Sequence, residues 1–286
     1  MKIIKGEFNS TLINRTGGFS RTDVLVILAV ILGLAFLLVK TVGQQSDSVK
    51  STNCLENLKQ ISTALAAYSN DSNQKLPFAS MQPRPGTPTT WDMLIATSLR
   101  VELRGDQLDM PPPPYGRLLK CPEDTISAAA IQQVNIPARR SYAMPAHRMN
   151  RPNWPPSEYN ATGVGLGWSQ NRKKGNASYA YLESVSTLPA ISMDMITEPD
   201  KTILITEQAQ ADNYIGKSKR ATIKSTLEHV DSTVLPSGSY HGGRINYLMV
   251  DGHVENLKPE ETVGPEGEVS DAADTHFGMW TILSGD

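Results

Sequence analysis

From Val24 to Val39, sixteen successive residues carry neither a charge nor a side-chain hydrogen-bonding group. A helix that is apolar on every side has to be covered all round by something other than water. Counted from Phe19 to Val42 the segment has 24 residues. As a helix it would be about 36 Å long, enough to cross hydrocarbon about 30 Å thick. The sequence therefore predicts a transmembrane helix over 19–42. Lys2, Lys5 and Arg15 lie ahead of it with only Glu7 against them, a bias that holds the first residues in the cytoplasm and sends the remainder across. An ordinary secretory signal has its small-residue cleavage site after the apolar run. Here Gly17-Gly18 precedes the run, so a cut there keeps the helix.

A short basic leader, a glycine, a phenylalanine, an acid fifth from the cut and an apolar helix follow one another from Lys2 to Val39. This order resembles the leader of type IV pilins and pseudopilins. The resemblance implies that a prepilin peptidase removes residues 1–18 by cutting between Gly18 and Phe19, that Phe19 is N-methylated, and that the chain joins a filament or secretion pseudopilus with copies of itself or other pilin-like subunits. It also implies a role for Asp23, which stands where such proteins usually carry glutamate: neutralising the N-terminal amine of a neighbouring subunit and so setting register. An acid at the edge of an apolar helix is a functional group by default. The alternative is that Asp23 sits at the positive end of its own helix, beside Arg21.

The chain has 286 residues, 39% hydrophobic and 20% charged. Some 240 residues beyond leader and anchor are enough for one elaborated domain with a real core. Net charge is −2, and the leader's excess of +2 leaves about −4 on the processed chain, so there is no basic field to recruit nucleic acid. Nineteen prolines and 21 glycines point to many turns and long connections. Cys54 and Cys121 would face an oxidising compartment in an exported domain, where one disulfide closing a long loop is open to them; two free core cysteines are the alternative.

Past the anchor, Leu55, Leu58, Ile61, Leu65 and Tyr68 recur at three- and four-residue steps, the stripe of an amphipathic helix over 43–75. Gly43, Ser46, Asp47 and Ser48, with Asn53 and Glu56 spaced as a capping box, predict a kink or break between the two helical halves. The run Cys54 to Ile61, then Ala64 to Tyr68, matches the helix of the resembled family, which lies against a C-terminal sheet. Residues 81–90 read as loop, 91–100 as a short helix, and Met110 to Tyr115 as an extended connector because proline cannot donate to a ladder. Leu118 to Pro122 suggests a short buried strand. Ser141 to Asn176 shows no period and reads as loop, with the glycines of Gly163-Val-Gly165-Leu-Gly167 assigned to turns. Strand patterns follow at Ser178–Leu182, Thr202–Thr206, Ile245–Val250 and His253–Leu257, the last two joined by Asp251-Gly252 as a two-residue hairpin turn with both residues at positive φ. The expected fold is α+β: a long N-terminal helix, part membrane-spanning and part amphipathic, packed on an antiparallel sheet within an exported domain over 76–286.

His241 stands ten residues before Asp251-Gly252. The spacing resembles the H-X9-DG motif found near the C-terminus of prepilin-like proteins, and the two resemblances together cover about 15–75 and 178–257. Two readings of His241 compete. One makes it a metal or catalytic partner of Asp251, with His229 and His253 near in sequence. The other, which weighs more, has it hydrogen-bond the Asp-Gly turn or a neighbouring carbonyl and fix the hairpin. The acidic tail, Glu260, Glu261, Glu266, Glu268, Asp271 and Asp274, matches no calcium loop; calcium is open to it, and a solvated acidic face is the simpler reading. No nucleophile or metalloprotease motif is present. The function expected is thus a structural, non-enzymatic subunit with no cofactor, held in the inner membrane with its domain in the periplasm, or built into an extracellular filament, with self, prepilin peptidase and membrane lipid as partners. The alternative is a membrane-tethered exported binding protein or metal-dependent enzyme.

Overall fold

The computed structural model describes residues 20–82, 89–96, 98–99, 118–125, 139–147, 163–169, 190–208, 210, 212–224, 226, 241–265 and 278–283, with backbone alone at 35–50, 82 and 168–169. Gly18 and Phe19, the connector at 110–115, the run at 178–182, His229 and the tail from Glu266 to Asp274 lie outside these residues. The chain divides into two units, Met1–Ser46 and Asp47–Asp286.

One helix, α1 (Arg21–Asp71), runs through the boundary with no interruption of its backbone. The helical run is not broken at Gly43, where a lone glycine costs about 1 kcal/mol against a long run of good helix formers. Ser20 caps the helix: its Oγ accepts the N–H of Thr22 at 3.3 Å, and Asp23 Oδ2 reaches back to accept the N–H of Ser20 at 3.0 Å. Ser20 and Asp23 thus form a reciprocal capping box.

In the first unit the described side chains of α1 end at Leu34. Among the described residues no helix is long and apolar enough to cross a membrane. The transmembrane reading of 19–42 is corrected accordingly, and with it the pilin-type anchor and the single-pass inner-membrane placement.

The second unit is built on a mixed sheet of eight strands: β1 (Ser80–Gln82), β2 (Thr89–Thr90), β3 (Tyr142–His147), β4 (Gly165–Ser169), β5 (Ile203–Glu207), β6 (Thr222–Ile223), β7 (Ile245–Met249) and β8 (Val254–Leu257). The order is β2-β1-β4-β3-β5-β7-β8, with β6 also on β3. β1 with β4, β3 with β4, and β3 with β6 are parallel; the other pairs are antiparallel. This overturns the expected long helix packed on an antiparallel sheet. Among the described residues of α1, the buried apolar side chains are Cys54, Leu58, Ile61, Ala64 and Leu65, which enter a core made with Phe78, Trp91, Leu119, Tyr142, Met144, Ile205 and Leu248.

Several strands arise where no strand was expected, and the reasons are physical. β3 is buried on both faces, so it shows no alternation, and Pro145 interrupts its β character. Two glycines let β4 approach it: a Cβ at Gly163 would fall 2.6 Å from Pro145 Cβ, and one at Gly165 would fall 2.6 Å from the Pro145 carbonyl oxygen. The glycine-rich stretch is therefore a close strand contact. β1 and β2 pair across the loop predicted at 81–90. The predicted helix at 91–100 is reduced to α2 (Trp91–Leu94), and Leu118 to Pro122 is a turn rather than a strand. On the opposite face Ile245, Tyr247 and Met249 of β7 pack with Ile203, Val263 and Trp280, whose indole N–H donates to Thr262 Oγ1 at 2.8 Å.

Two adjacent arginines tie the peripheral segments to β3. Arg139 donates to Asp124 at 2.7 Å, while the wholly buried Arg140 pairs with Asp92 and donates to Asn213 Oδ1 at 2.9 Å. Asp92 is satisfied on its other oxygen by the N–H of Gly216 at 2.8 Å. Arg139 also donates to Gln210 O at 3.1 Å and Arg140 to Lys217 O at 3.2 Å, further bonds of the kind a buried pair needs.

The β7–β8 connection departs from the two-residue turn. Met249 accepts the N–H of Gly252 at 3.0 Å and donates its own N–H to His253 O at 2.9 Å, so Val250, Asp251 and Gly252 form a three-residue loop. Only Gly252, at φ +99°, is left-handed there, as in hairpins closed by a turn and a glycine bulge. The glycine also faces α1: Ser62 donates to its carbonyl at 3.4 Å, and an added Cβ would stand 2.9 Å from Ser62 Oγ. Gly252→Ala is therefore expected to destabilise the domain by about 1–3 kcal/mol from backbone strain and crowding together. Denaturant unfolding checks this, and Ser62→Ala in the same chain should recover only the crowding part.

Candidate functional site

The residues singled out at the two ends of the H-X9-DG motif do not meet. β7 separates them, and five extended residues span about 17 Å. Asp251 instead serves its own turn: Oδ1 accepts the backbone N–H of His253 at 3.0 Å and lies 2.6 Å from His253 Nδ1. His253 Nε2 lies 3.1 Å from Glu255 Oε1. This exposed triplet holds His253 above the usual imidazole range; slight burial works against that, and the bonds to Glu255 and Asp251 outweigh it.

His241 turns inward at the other end of β7. It adopts φ +39°, followed by Gly242 at +70° and Gly243 at +91°, and this left-handed run lets the chain double back so that the imidazole enters the core. The side chain is only 2% exposed. Its Nε2 lies 3.0 Å from Oε1 of Glu207, the last residue of β5, and 3.8 Å from Cys121 Sγ. Its Nδ1 lies 3.1 Å from Glu123 Oε1, and its backbone N–H donates to Glu123 Oε2 at 2.8 Å. Asn246, on the inward face of β7, completes the cluster. Its backbone N–H donates to Glu207 Oε2 at 3.0 Å, and its amide nitrogen lies 3.2 Å from Glu207 Oε1 and 2.9 Å from His241 Nε2.

Cys54, from α1, and Cys121 form a disulfide 67 residues apart in sequence, buried against this cluster. Closing a loop of that length restricts the unfolded chain by about 4 kcal/mol in the chain-entropy account. Beside it, Asn57 Nδ2 donates to Lys120 O at 3.3 Å, so the same stretch of α1 holds the Cys121 turn by a second bond. Cys54, Cys121, Glu207 and His241 each offer a ligand-type atom, and these four atoms lie within 4.8 Å of one another.

The site thus joins His241, Cys54 and Cys121, which the sequence flagged, to Glu207, Glu123 and Asn246, which it did not. Glu207 closes the apolar strand and is wholly buried, and no local sequence pattern marks that burial. Asp23 and Gly252 stand elsewhere, in a helix cap and a hairpin turn. Of the acidic tail, Glu261 accepts the N–H of Lys258 at 2.7 Å and is met by Arg244 at 3.1 Å, bonds that keep its carboxyl below the usual range, the first more than the second.

Comparison with protein-family models, curated proteins and solved structures gives no match.

What the cluster does chemically is hold a proton. Burial by itself would lower the His241 pKa, but the hydrogen bond and charge of Glu207, with Glu123 behind the ring, more than offset it and raise the value. A folded pKa above the unfolded value of about 6.5 means that the protonated ring adds stability fully present below about pH 6.5 and lost as pH rises through the folded value. Thermal unfolding of the disulfide form across that range should show a midpoint falling as pH increases. In His241→Gln the fall should shrink, leaving the smaller part that His253 contributes in the same direction.

Proposed function

We propose that the chain is a structural subunit that assembles with copies of itself, or with similar subunits, through the helix at its N-terminal end, after removal of residues 1–18. The observation that carries this reading is the first unit's surface. Nine aliphatic side chains, Val24, Leu25, Val26, Ile27, Leu28, Val30, Ile31, Leu32 and Leu34, are exposed by about half or more on every side of α1. Fully covering one such side chain is worth about 1.5–3 kcal/mol, and contiguous exposed apolar surface of this extent marks an interaction site. Helices of other subunits, each apolar all round, supply that cover symmetrically and without limit along an axis, which is the geometry of a filament.

The second unit supports the same reading. A buried disulfide, a buried histidine and ion pairs on β3 tie the segments of the second unit together. In this reading Asp23 pairs with the amine of a neighbour's Phe19 and sets the register of packing.

Intact mass of the purified chain is expected to show loss of residues 1–18 with one added methyl group. Full-length removal beyond Val42 would contradict it. Assembly, read by sedimentation and negative-stain microscopy, should be abolished by Ile31→Glu, which places a charge in the packed surface. Asp23→Asn keeps an acceptor for the Ser20 cap and removes the charge. It should lower assembly at least tenfold if the charge is what the neighbour reads, while assembly at the normal level would assign Asp23 to capping alone.

A further inference from the structure

We propose that the dithiol form of this protein binds one thiophilic divalent cation, of the Zn²⁺ class, through Cys54 Sγ, Cys121 Sγ, His241 Nε2 and Glu207 Oε1, and that cation and disulfide are mutually exclusive states of one buried site. The four ligand atoms already converge within 4.8 Å. They are the donors zinc prefers, two thiolates, one imidazole and one carboxylate. They also come from four separate segments: α1, the Cys121 turn, β5 and the turn before β7. Four-coordinate zinc, with Zn–S about 2.3 Å and Zn–N about 2.0–2.1 Å, sets an S···N edge of about 3.6 Å and an S···S edge of about 3.8 Å. Cys121 Sγ and His241 Nε2 stand 3.8 Å apart, close to the first of these without any movement. The Nε2 to Glu207 Oε1 distance of 3.0 Å needs to open by about 0.4 Å to fit an N···O edge of about 3.4 Å. The only large change is at sulfur, where the S–S bond breaks and one cysteine side chain rotates away.

The surroundings of the ligands match what a metal centre needs. Glu123 sits on Nδ1 of His241, the carboxylate-behind-histidine arrangement that fixes the ring and directs Nε2 at a metal. Asn246 holds Glu207 through both its backbone and side-chain nitrogens, so the carboxylate is oriented before a cation arrives. Two thiolates, a carboxylate and an imidazole crowded in a buried site call for a divalent cation among them.

Electrons and protons balance as follows. A dithiol reductant gives up two electrons and two protons and becomes a disulfide, while the Cys54–Cys121 bond opens to two thiols. Zn²⁺ then displaces both thiol protons and the Nε2 proton, which pass to solvent. Oxidation by a disulfide reverses the sequence and releases the metal.

The test uses the untagged full chain reduced with a phosphine and titrated with Zn²⁺ or Co²⁺, beside the same chain left oxidised. One equivalent is expected in the reduced chain and none in the oxidised one. Co²⁺ should give sulfur-to-cobalt charge transfer with tetrahedral ligand-field bands, and Zn²⁺ should protect both thiols from alkylation. Glu207→Gln and His241→Ala should each weaken binding at least tenfold. Cys54→Ser with Cys121→Ser, shown folded by circular dichroism, should bind none. Equal binding by the oxidised chain or by the double serine chain would overturn the proposal, as would no binding by a folded reduced chain or a cobalt spectrum without sulfur ligation.

Discussion

A carboxylate with no solvent exposure at the end of β5 is the constraint around which the second unit is arranged. Glu207 is wholly buried, and an uncompensated charge there would cost several kcal/mol. Compensation arrives from three separate stretches. Asn246 on β7 supplies two nitrogens, His241 supplies Nε2 from the turn before β7, and Glu123 holds the far side of the ring from the Cys121 turn. The Cys54–Cys121 bond fastens that turn to α1. Removing any partner leaves a buried charge rather than merely a lost contact, so the cluster fixes which segments must be adjacent. Apolar packing alone would tolerate several arrangements of the same elements.

The left-handed run at His241-Gly242-Gly243 follows from this demand. A histidine at positive φ is costly unless its surroundings over-determine it. Here the backbone N–H of His241 is held by Glu123 at 2.8 Å while its ring is held by Glu207 at 3.0 Å. The two glycines then return the chain to β7 without a steric penalty. The other end of the motif solves a different problem. Gly252 brings the hairpin loop against Ser62 of α1, so the His and Asp-Gly positions are linked because both ends of β7 have to be anchored, one to the core and one to the helix.

Much of this was legible in sequence where a local rule decides. The stripe from Cys54 to Leu65, the apolar run from Ile203 to Ile205 and the alternation of β7 follow from periodicity. What was not legible depends on long-range partners. β3 and β4 carry no period because both faces are covered and because Pro145 is accepted only beside glycines at Gly163 and Gly165. The parallel pairings that make the sheet mixed cannot be seen without knowing that approach. Nothing local in the sequence marks Arg139 and Arg140 as core residues; their buried partners Asp124 and Asp92 do. The apolar segment before Val39 was legible as a surface needing cover, but hydropathy alone does not say what covers it. Among the described residues no helix is long and apolar enough to cross a membrane.

Asp23 shows how a short acid near the start of a helix closes its first turn. In the single chain its Oδ2 completes the capping box with Ser20, a local bond that stabilises the start of α1 by about 1 kcal/mol. A carboxylate offers about four acceptor positions on two oxygens, so the cap engages a fraction of its capacity. Aspartate is short enough to reach the Ser20 N–H from the third helical position.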